Sequence, residues 1–148
     1  MILPDFKAFP RVGRIIGVDW GARRVGVAVS DETRGFVFAR STINVGCGDD
    51  VATIVARVAT DERAVGIVVG LPLYPDGAES DTTKMVREFI CALSQKTDLP
   101  IVTVEENLTS VSAQESMGRV RVRDIKERLD SESARVILEN AIALINRN

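Results

Sequence analysis

The most restrictive feature of this sequence is a continuous apolar run at its centre, Ala64-Val65-Gly66-Ile67-Val68-Val69-Gly70. A strand that faces solvent on one side alternates apolar and polar residues, whereas a strand that is buried on both faces is apolar throughout. We therefore predict that this run is a strand of a parallel sheet, because helices cover both faces of such a sheet.

The segments before this run predict a small meander. Residues 14–19 and 25–30 are apolar stretches joined by a polar turn, and residues 36–43 form a third stretch with strand character. Connections this short join antiparallel neighbours. Three antiparallel strands are therefore expected at the start of the sheet.

The rest of the chain alternates between helical and strand periodicity. Val51, Ile54, Val55 and Val58 have the i, i+3, i+4, i+7 spacing of an amphipathic helix. Further helices are expected where apolar residues recur at that spacing, and a strand is expected at residues 101–104. The helical positions are Met85, Phe89, Ile90 and Leu93, then a segment from Thr109 or Ser110 to Gly118, then Ala134, Ile137, Leu138, Ala141, Leu144 and Ile145.

The resulting order, βββ-α-β-α-β-α-α, is typical of an α/β protein. We expect a five-stranded mixed sheet, with three antiparallel meander strands plus two parallel strands, flanked by helices. A chain of 148 residues suits one domain, so residues 1–148 are assigned to a single unit with 1–13 as an N-terminal extension. The extension has no long apolar run, so neither a signal peptide nor a membrane anchor is expected. Cys47 and Cys91 are far apart and are expected to be reduced thiols of a cytoplasmic protein.

The chain contains no histidine, and this absence excludes several kinds of chemistry. Ser-His-Asp and Cys-His triads, histidine-ligated zinc and imidazole bases all require that residue. An enzyme with this sequence would have to use carboxylates, lysine, hydroxyl groups or bound ions. The formal net charge of −2 also argues against a generic nucleic-acid coat protein, which would be basic.

Three acidic residues occupy positions that indicate a common site. Asp19 follows the first apolar run directly and Glu106 follows the fifth predicted strand. The carboxyl ends of strands are where open α/β sheets bind ligands. Asp130 continues the apolar stripe of the last helix, so its side chain is expected to point toward the sheet. A carboxylate buried there needs a compensating cation.

Each carboxylate also has a purely structural explanation. Asp19 could form a turn, Asp130 could cap a helix, and Glu106 could be a solvated loop residue. As a group in a chain without histidine, the three are candidate catalytic residues and candidate ligands of Mg²⁺ or Mn²⁺, which prefer hard oxygen ligands. Two such ions could activate a water and stabilise the leaving oxygen of a phosphodiester.

Basic residues lie close to the third carboxylate along the chain. Between residues 119 and 128 there are five basic side chains and two acidic ones, which could bind phosphates flanking a scissile bond. A solvated charged loop or helix start is the alternative explanation. Arg24 is a weaker candidate for phosphate binding. The five basic residues are Arg119, Arg121, Arg123, Lys126 and Arg128.

The candidate residues lie in motifs that resemble those of the YqgF (RuvX) family, the pre-16S ribosomal RNA nucleases that are also described as Holliday junction resolvase-like. The motifs follow one another in order over nearly the whole chain. They are Gly17-Val18-Asp19-Trp20-Gly21 with the strand up to Asp31, Val69-Gly70-Leu71-Pro72-Leu73 with Asp76-Gly77, Glu105-Glu106-Asn107-Leu108-Thr109-Ser110, and Leu129-Asp130-Ser131-Glu132-Ser133-Ala134 with Ile137-Leu138.

The resemblance implies a ribonuclease H-like fold and a catalytic triad that maps onto Asp19, Glu106 and Asp130. It also implies a nuclease that trims precursor 16S rRNA during ribosome maturation, and we expect this hydrolase to process the 5′ end with the two-metal-ion chemistry described above. The sequence departs from the family at Asn107, where arginine is usual, and at Tyr74-Pro75, where Asn-Met is more typical. These departures bear on substrate preference more than on the carboxylates.

Three other functions remain open on the sequence. A Holliday junction resolvase would use the same carboxylates on branched DNA and would need a dimer to cut two strands symmetrically. A nucleotide-binding module of the sugar kinase and actin type would need two such domains, and 148 residues supply one. A non-catalytic RNA-binding or transcription-associated factor would bind RNA without cleaving it. We expect nucleic acid, and no membrane, as the partner of a monomer or weak homodimer.

Overall fold

The computed structural model of the protein describes residues 1–40, 42–45, 50–107 and 122–147, and it describes the backbone alone for residues 107, 122–131 and 147. No helix in these ranges is both long enough and apolar enough to cross a membrane. In chain order the elements are β1 (Ile15–Asp19), β2 (Arg24–Ser30), β3 (Val37–Ala39), β4 (Ile43–Asn44), α1 (Val51–Asp61), β5 (Gly66–Leu73), α2 (Asp81–Lys96), β6 (Ile101–Asn107) and α3 (Val122–Arg147).

The sheet has the predicted mixture of antiparallel and parallel strands. Its order is β3-β2-β1-β5-β6, and β4 pairs with β2 outside this path. β1, β2 and β3 form an antiparallel meander, whereas β5 and β6 run parallel to β1. β5 is buried along nearly its whole length between β1 and β6, which confirms the strand predicted from the central apolar run.

The predicted third strand is divided in two. β3 pairs with the second half of β2, and β4 pairs with its first two residues. The backbone N–H of Arg40 donates to Val27 O at 2.8 Å, and the pairing resumes at Ile43 opposite Val25. The predicted strand is therefore two short strands, which pair with β2 on either side of Gly26.

Helices α1 and α2 cover one face of the sheet. Asp50 caps α1 through a hydrogen bond from the backbone N–H of Ala52 to its carboxylate. The prediction that Met85 lies on the buried side of α2 is wrong, since its side chain is 48% exposed. The other three predicted residues are buried, and the remaining buried positions are taken by Val86 and by Thr83, whose hydroxyl donates to Pro72 O. The residues of α2 that reach the core are Thr83, Val86, Phe89, Ile90 and Leu93.

Helix α3 covers the other face. Its buried residues match the predicted stripe except for Leu144, which is 38% exposed. The helix begins at Val122, earlier than the apolar pattern indicates, so the basic positions 123, 126 and 128 are helical. The helix predicted from Thr109 or Ser110 to Gly118 lies outside the described residues. The buried residues of α3 are Ala134, Ile137, Leu138, Ala141 and Ile145.

The N-terminal extension is part of the folded core. Ile2 pairs with Ile101 in a parallel bridge at the start of β6. Phe6 and Phe9 are buried in the same apolar layer as α3. The guanidinium of Arg34 lies 6.0 Å from the centre of the Phe9 ring, and its Nε donates to the carbonyl that ends the extension, Gly13 O, at 3.0 Å.

Helix α3 approaches β1 closely at Gly17. A Cβ at this position would lie 2.9 Å from the carbonyl oxygen of Ala134 and 2.9 Å from Leu138 Cβ. Both distances are shorter than real Cβ contacts allow, and the first neighbour is backbone that cannot rotate away. Gly17 therefore sets the distance between the helix and the centre of the sheet.

Replacing Gly17 with alanine is expected to destabilise the protein by about 1–3 kcal/mol, because the added methyl forces α3 away from β1. Urea unfolding of Gly17→Ala measures this change. Gly35→Ala is the matched control, because its added Cβ would meet only Thr33 Oγ1 at an ordinary 3.4 Å. Equal stability of the two variants would contradict the close contact.

Candidate functional site

The carboxyl ends of β1, β5 and β6 meet at one edge of the sheet, because the three strands are parallel neighbours. Asp19 is the last residue of β1. The pairing of Val18 with Val69 places Asp19 level with Gly70 of β5. Gly70 of β5 pairs with Val104 of β6. Glu106 follows Val104 by two residues, toward the carboxyl end of β6.

Asp19 and Glu106 lie on the face of the sheet that α3 covers. Gly17 faces α3, and Asp19 follows it by two residues, so the two positions share a face. On β6, Val102 and Val104 pack in the α3 layer, and Glu106 continues this alternation. The structure thus brings two of the three predicted carboxylates to one edge and one face, on either side of β5.

Gly70 provides the space in which the Glu106 carboxylate lies. A Cβ at Gly70 would be 2.6 Å from Glu106 Oε2 and 2.9 Å from its Cδ, and it would also collide with the end of the Ile137 side chain. The carboxylate of β6 therefore extends across β5 toward β1. The sequence analysis assigned Gly70 no role, although a glycine inside an apolar strand is a sign of close approach by another group.

Burial changes the acidity of Glu106. Desolvation disfavours the ionised carboxylate and raises its pKa from 4.5 to about 7. Without a nearby cation, this carboxyl group is therefore only partly ionised at neutral pH. A bound divalent cation would favour the ionised form and remove much of the cost of burying it.

The third predicted carboxylate, Asp130, lies in helix α3, one turn before Ala134. Ala134 contacts the sheet at Gly17, two residues from Asp19 on the same face. The side chain of Asp130 is outside the described part of the structure, so its inward orientation stays a prediction. Among the described side chains, no group of three or more metal-ligating residues is present.

Arg24 lies close to Asp19 in the register of the sheet. It is the first residue of β2, two positions before Gly26, which pairs with Asp19. Ala28 is buried in the α3 layer, so the alternation places Arg24 on that same face. Its Nη1 atom is buried and has no hydrogen-bond partner among the described residues. A buried donor of this kind is suited to an anionic oxygen.

The other predicted phosphate contacts are outside the region where side chains are described. Arg119 and Arg121 are outside the described residues altogether. Arg123, Lys126 and Arg128 are helical in α3, but their side chains are not described. Their contacts with nucleic acid stay a prediction.

The loop after β5 borders the same edge. Ser80 and Thr83 form a capping box at the start of α2, and Thr83 also donates to Pro72 O. The backbone N–H of Tyr74 donates to Ala78 O at 3.0 Å, which closes a tight turn and leaves the Tyr74 ring about half exposed. Trp20, by contrast, packs against the apolar layer under α1 and α2 and is partly buried there.

Comparison with known proteins gives a consistent result. The family model described as "RuvX: Holliday junction resolvase" matches residues 13–143. A protein of Maridesulfovibrio salexigens named "Putative pre-16S rRNA nuclease" is 34% identical over 132 residues, which is 88% of this chain and 98% of that protein. A protein of the same name from Nitratidesulfovibrio vulgaris (strain Miyazaki F) is 35% identical over 133 residues, which is 88% of this chain and 94% of the relative.

Among solved structures, the Holliday junction resolvase of fowlpox virus is similar, with a TM-score of 0.50 and 14% sequence identity. The match covers 91% of this chain and 99% of that chain. This likeness concerns the fold and confirms the predicted ribonuclease H-like architecture. The extent of the family match and the identity to its curated relatives show that the chain belongs to the RuvX family.

Proposed function

We propose that this protein is a metal-dependent nuclease that hydrolyses phosphodiester bonds in RNA, and that its substrate is the 5′ end of precursor 16S rRNA. The observation that carries the proposal is the position of Asp19 and Glu106 on one face of the sheet edge, with the Glu106 carboxylate over Gly70. The names of the curated relatives support the RNA substrate.

The residues at this edge suit a hard divalent cation such as Mg²⁺ or Mn²⁺. Both described side chains offer carboxylate oxygens, and one of them is buried where its charge needs compensation. Asp19 and Glu106 would hold the cation, and Asp130 would complete the set from α3. When bound, the cation supplies Lewis acidity, which lowers the pKa of a water molecule and stabilises charge on the phosphate.

The protein's own side chains position the reacting groups. Asp19 and Glu106 stand on strands of a packed sheet, so their carboxylates are held with little freedom. The end of the Ile137 side chain packs beside Gly70, next to the Glu106 carboxylate. The Glu106 carboxyl group is partly protonated near neutral pH and would release the proton when the cation binds.

Arg24 would bind a non-bridging oxygen of the scissile or adjacent phosphate. Its buried Nη1 lacks a partner among the described residues, and a phosphate oxygen would supply a charge-assisted hydrogen bond. Basic residues between positions 119 and 128 would contact phosphates farther along the strand. These contacts would allow a chain with a net charge of −2 to hold a polyanion.

A second candidate function is the cleavage of four-way DNA junctions. The description of the matching family model and the fold of the fowlpox enzyme favour it. Cleavage assays with a pre-16S-like RNA and a four-way DNA junction, each with Mg²⁺ or Mn²⁺, distinguish the two. Preference for the junction, together with a dimer in light scattering, would replace the RNA assignment.

We expect Asp19→Asn to reduce metal-dependent RNA cleavage by about 100-fold or more, because a neutral amide is a much weaker cation ligand than a carboxylate. Initial rates at saturating Mg²⁺ or Mn²⁺ measure the effect. Asp61→Asn, at the exposed end of α1, is the control and should keep the wild-type rate. Unchanged cleavage by Asp19→Asn would disprove the assignment of the site.

The raised pKa of Glu106 predicts how stability depends on pH. Between pH 4.5 and about 7 the folded state binds more protons at this group than the unfolded state does, so stability falls as pH rises through this window. The loss reaches up to about 3 kcal/mol. We expect Glu106→Gln to flatten this slope, whereas Glu105→Gln, at an exposed neighbouring position, should not.

Thermal unfolding at pH 5, 6 and 8 measures this dependence. Added Mg²⁺ or Mn²⁺ should raise the melting temperature of the wild type more at pH 8 than at pH 6, because at pH 6 the cation must first displace the proton of Glu106. The Glu106→Gln variant should lose most of the stabilisation. An equal shift at both pH values would argue against Glu106 as a ligand.

We expect Arg24→Ala to raise the KM for RNA by about tenfold or more, since a hydrogen bond to a charged group contributes about 1.5–3 kcal/mol. Arg24→Lys should recover part of the affinity, because it keeps the charge and loses the planar fork. Steady-state cleavage assays measure both. Arg23→Ala, at the exposed neighbouring position, is the control, and equal KM values for the two alanine variants would rule out the Arg24 contact.

A further inference from the structure

A second surface of the molecule carries exposed aromatic side chains. Phe36 and Phe38 are 68% and 48% exposed and lie at the edge strand β3. Their rings are stacked, with centroids 6.5 Å apart and planes inclined by 25°. Phe38 pairs with Val29, which is buried in the layer under α1 and α2, so both rings lie on that face. We call this pair the aromatic ridge.

The turn before β3 holds the ridge in a fixed position. The carboxylate of Asp31 accepts hydrogen bonds from Thr33 Oγ1 at 2.6 Å and from the backbone N–H of Phe36 at 3.2 Å. The backbone N–H of Arg34 donates to Asp31 O at 3.1 Å. The closed turn therefore holds Phe36 in place before a ligand binds. Binding then costs less conformational entropy.

The ridge continues into a positively charged group. Arg40 follows Phe38 by two residues on the same face, and its Nε lies 3.0 Å from Glu62 Oε1. Arg14 Nη1 lies 3.8 Å from Glu62 Oε2. Two arginines thus share one carboxylate, and all three side chains are partly exposed. The two arginines and Glu62 together carry a charge of +1, and the Asp31 carboxylate in the turn before Phe36 balances it.

The area of the ridge indicates a small occupant. A phenylalanine side chain has a surface of roughly 200 Å². With Phe36 68% and Phe38 48% exposed, the two rings together present about 230 Å² of apolar surface. A stable protein partner covers about 800 Å² on each side of an interface. Two stacked rings beside cations match the size and chemistry of two or three nucleobases with their phosphates.

We propose that the aromatic ridge, with Arg14 and Arg40, binds a single-stranded segment of the nucleic-acid substrate, with bases stacked on the phenylalanines and phosphates near the arginines. The inference rests on the proposed function and names an additional contact for the same substrate. The ridge lies level with Ile16, at the amino end of β1, and on the opposite face from the carboxylates. The bound segment is therefore remote from the scissile phosphate.

The test uses Asp19→Asn protein as the background, so that binding is measured without cleavage. The probes are a fluorescein-labelled ten-nucleotide oligouridine and an abasic oligomer of the same length and charge, followed by fluorescence anisotropy. Phe36→Ala/Phe38→Ala should weaken oligouridine binding by about tenfold and leave abasic binding unchanged, because only the stacking contribution is removed. Val136→Ala, at a 48% exposed position on α3, is the control and should not change either affinity.

A second variant tests the charges. Arg40→Gln should lower the slope of the logarithm of the oligouridine binding constant against the logarithm of salt concentration by about 0.7, the value for one phosphate contact on a single strand. Melting temperatures of all variants show whether the fold is intact. If the melting temperature of Phe36→Ala/Phe38→Ala falls, Phe36→Thr/Phe38→Thr replaces it, because threonine is favoured in strands.

The outcomes separate this inference from the proposed function. If the wild type cleaves RNA while the double variant binds oligouridine as tightly as its background, the ridge proposal is wrong and the nuclease assignment stands. If no metal supports cleavage while the ridge variants still lose oligouridine affinity, the ridge is retained and the nuclease assignment falls. If light scattering shows a dimer that the double variant converts to a monomer, the ridge is a self-association surface and the proposal is overturned.

Discussion

Helix α3 lies against β1 and β5 at two glycines, and the space left by their missing side chains determines where the helix and Glu106 can be. At Gly17 the backbone of the helix occupies the place of a methyl group, and at Gly70 the Glu106 carboxylate and the end of Ile137 do so. The same packing that closes the core therefore also shapes the candidate site. A larger residue at either position would separate the helix from the sheet or the carboxylate from its neighbour strand.

The site carries a cost that the rest of the fold compensates. Burial raises the pKa of Glu106 to about 7, so the ionised group destabilises the folded protein when no cation is present. Two apolar layers, one on each face of the sheet, supply the opposing stabilisation. A buried ionisable group such as this carboxyl group lowers stability, and proteins typically tolerate such groups at functional sites because the surrounding fold is stable.

The molecule separates its two candidate contacts with nucleic acid. The carboxylates and Arg24 lie at the carboxyl end of β1 on the α3 face, whereas the aromatic ridge lies at the amino end of β1 on the opposite face. At each place arginine lies near carboxylates, with Arg24 near Asp19 at the first and Arg14 and Arg40 on Glu62 at the second. If both proposed contacts form, a substrate must span both places, and one with a defined structure is favoured over a generic polyanion.

Much of the fold could be predicted from the sequence, because each element has a local signature. The apolar run at 64–70 identified a strand covered on both faces, and the period of α3 identified the face that reaches the sheet. The exceptions have tertiary causes. Met85 is exposed, whereas Thr83 is buried with its hydroxyl bonded to Pro72 O, and the predicted third strand is two short strands that pair with β2 on either side of Gly26.

For the candidate site too, the sequence predicted some features and only the tertiary structure determined others. The sequence by itself determined that carboxylates must carry any metal chemistry, since there is no histidine, and that Asp19 and Glu106 end strands. Only the tertiary structure decided that they share one edge and one face, that Gly70 makes room for Glu106, and that burial raises the pKa of this carboxyl group. Register and desolvation arise from contacts between residues far apart in the chain, and a glycine in a strand indicates that something comes close without identifying the group that does so.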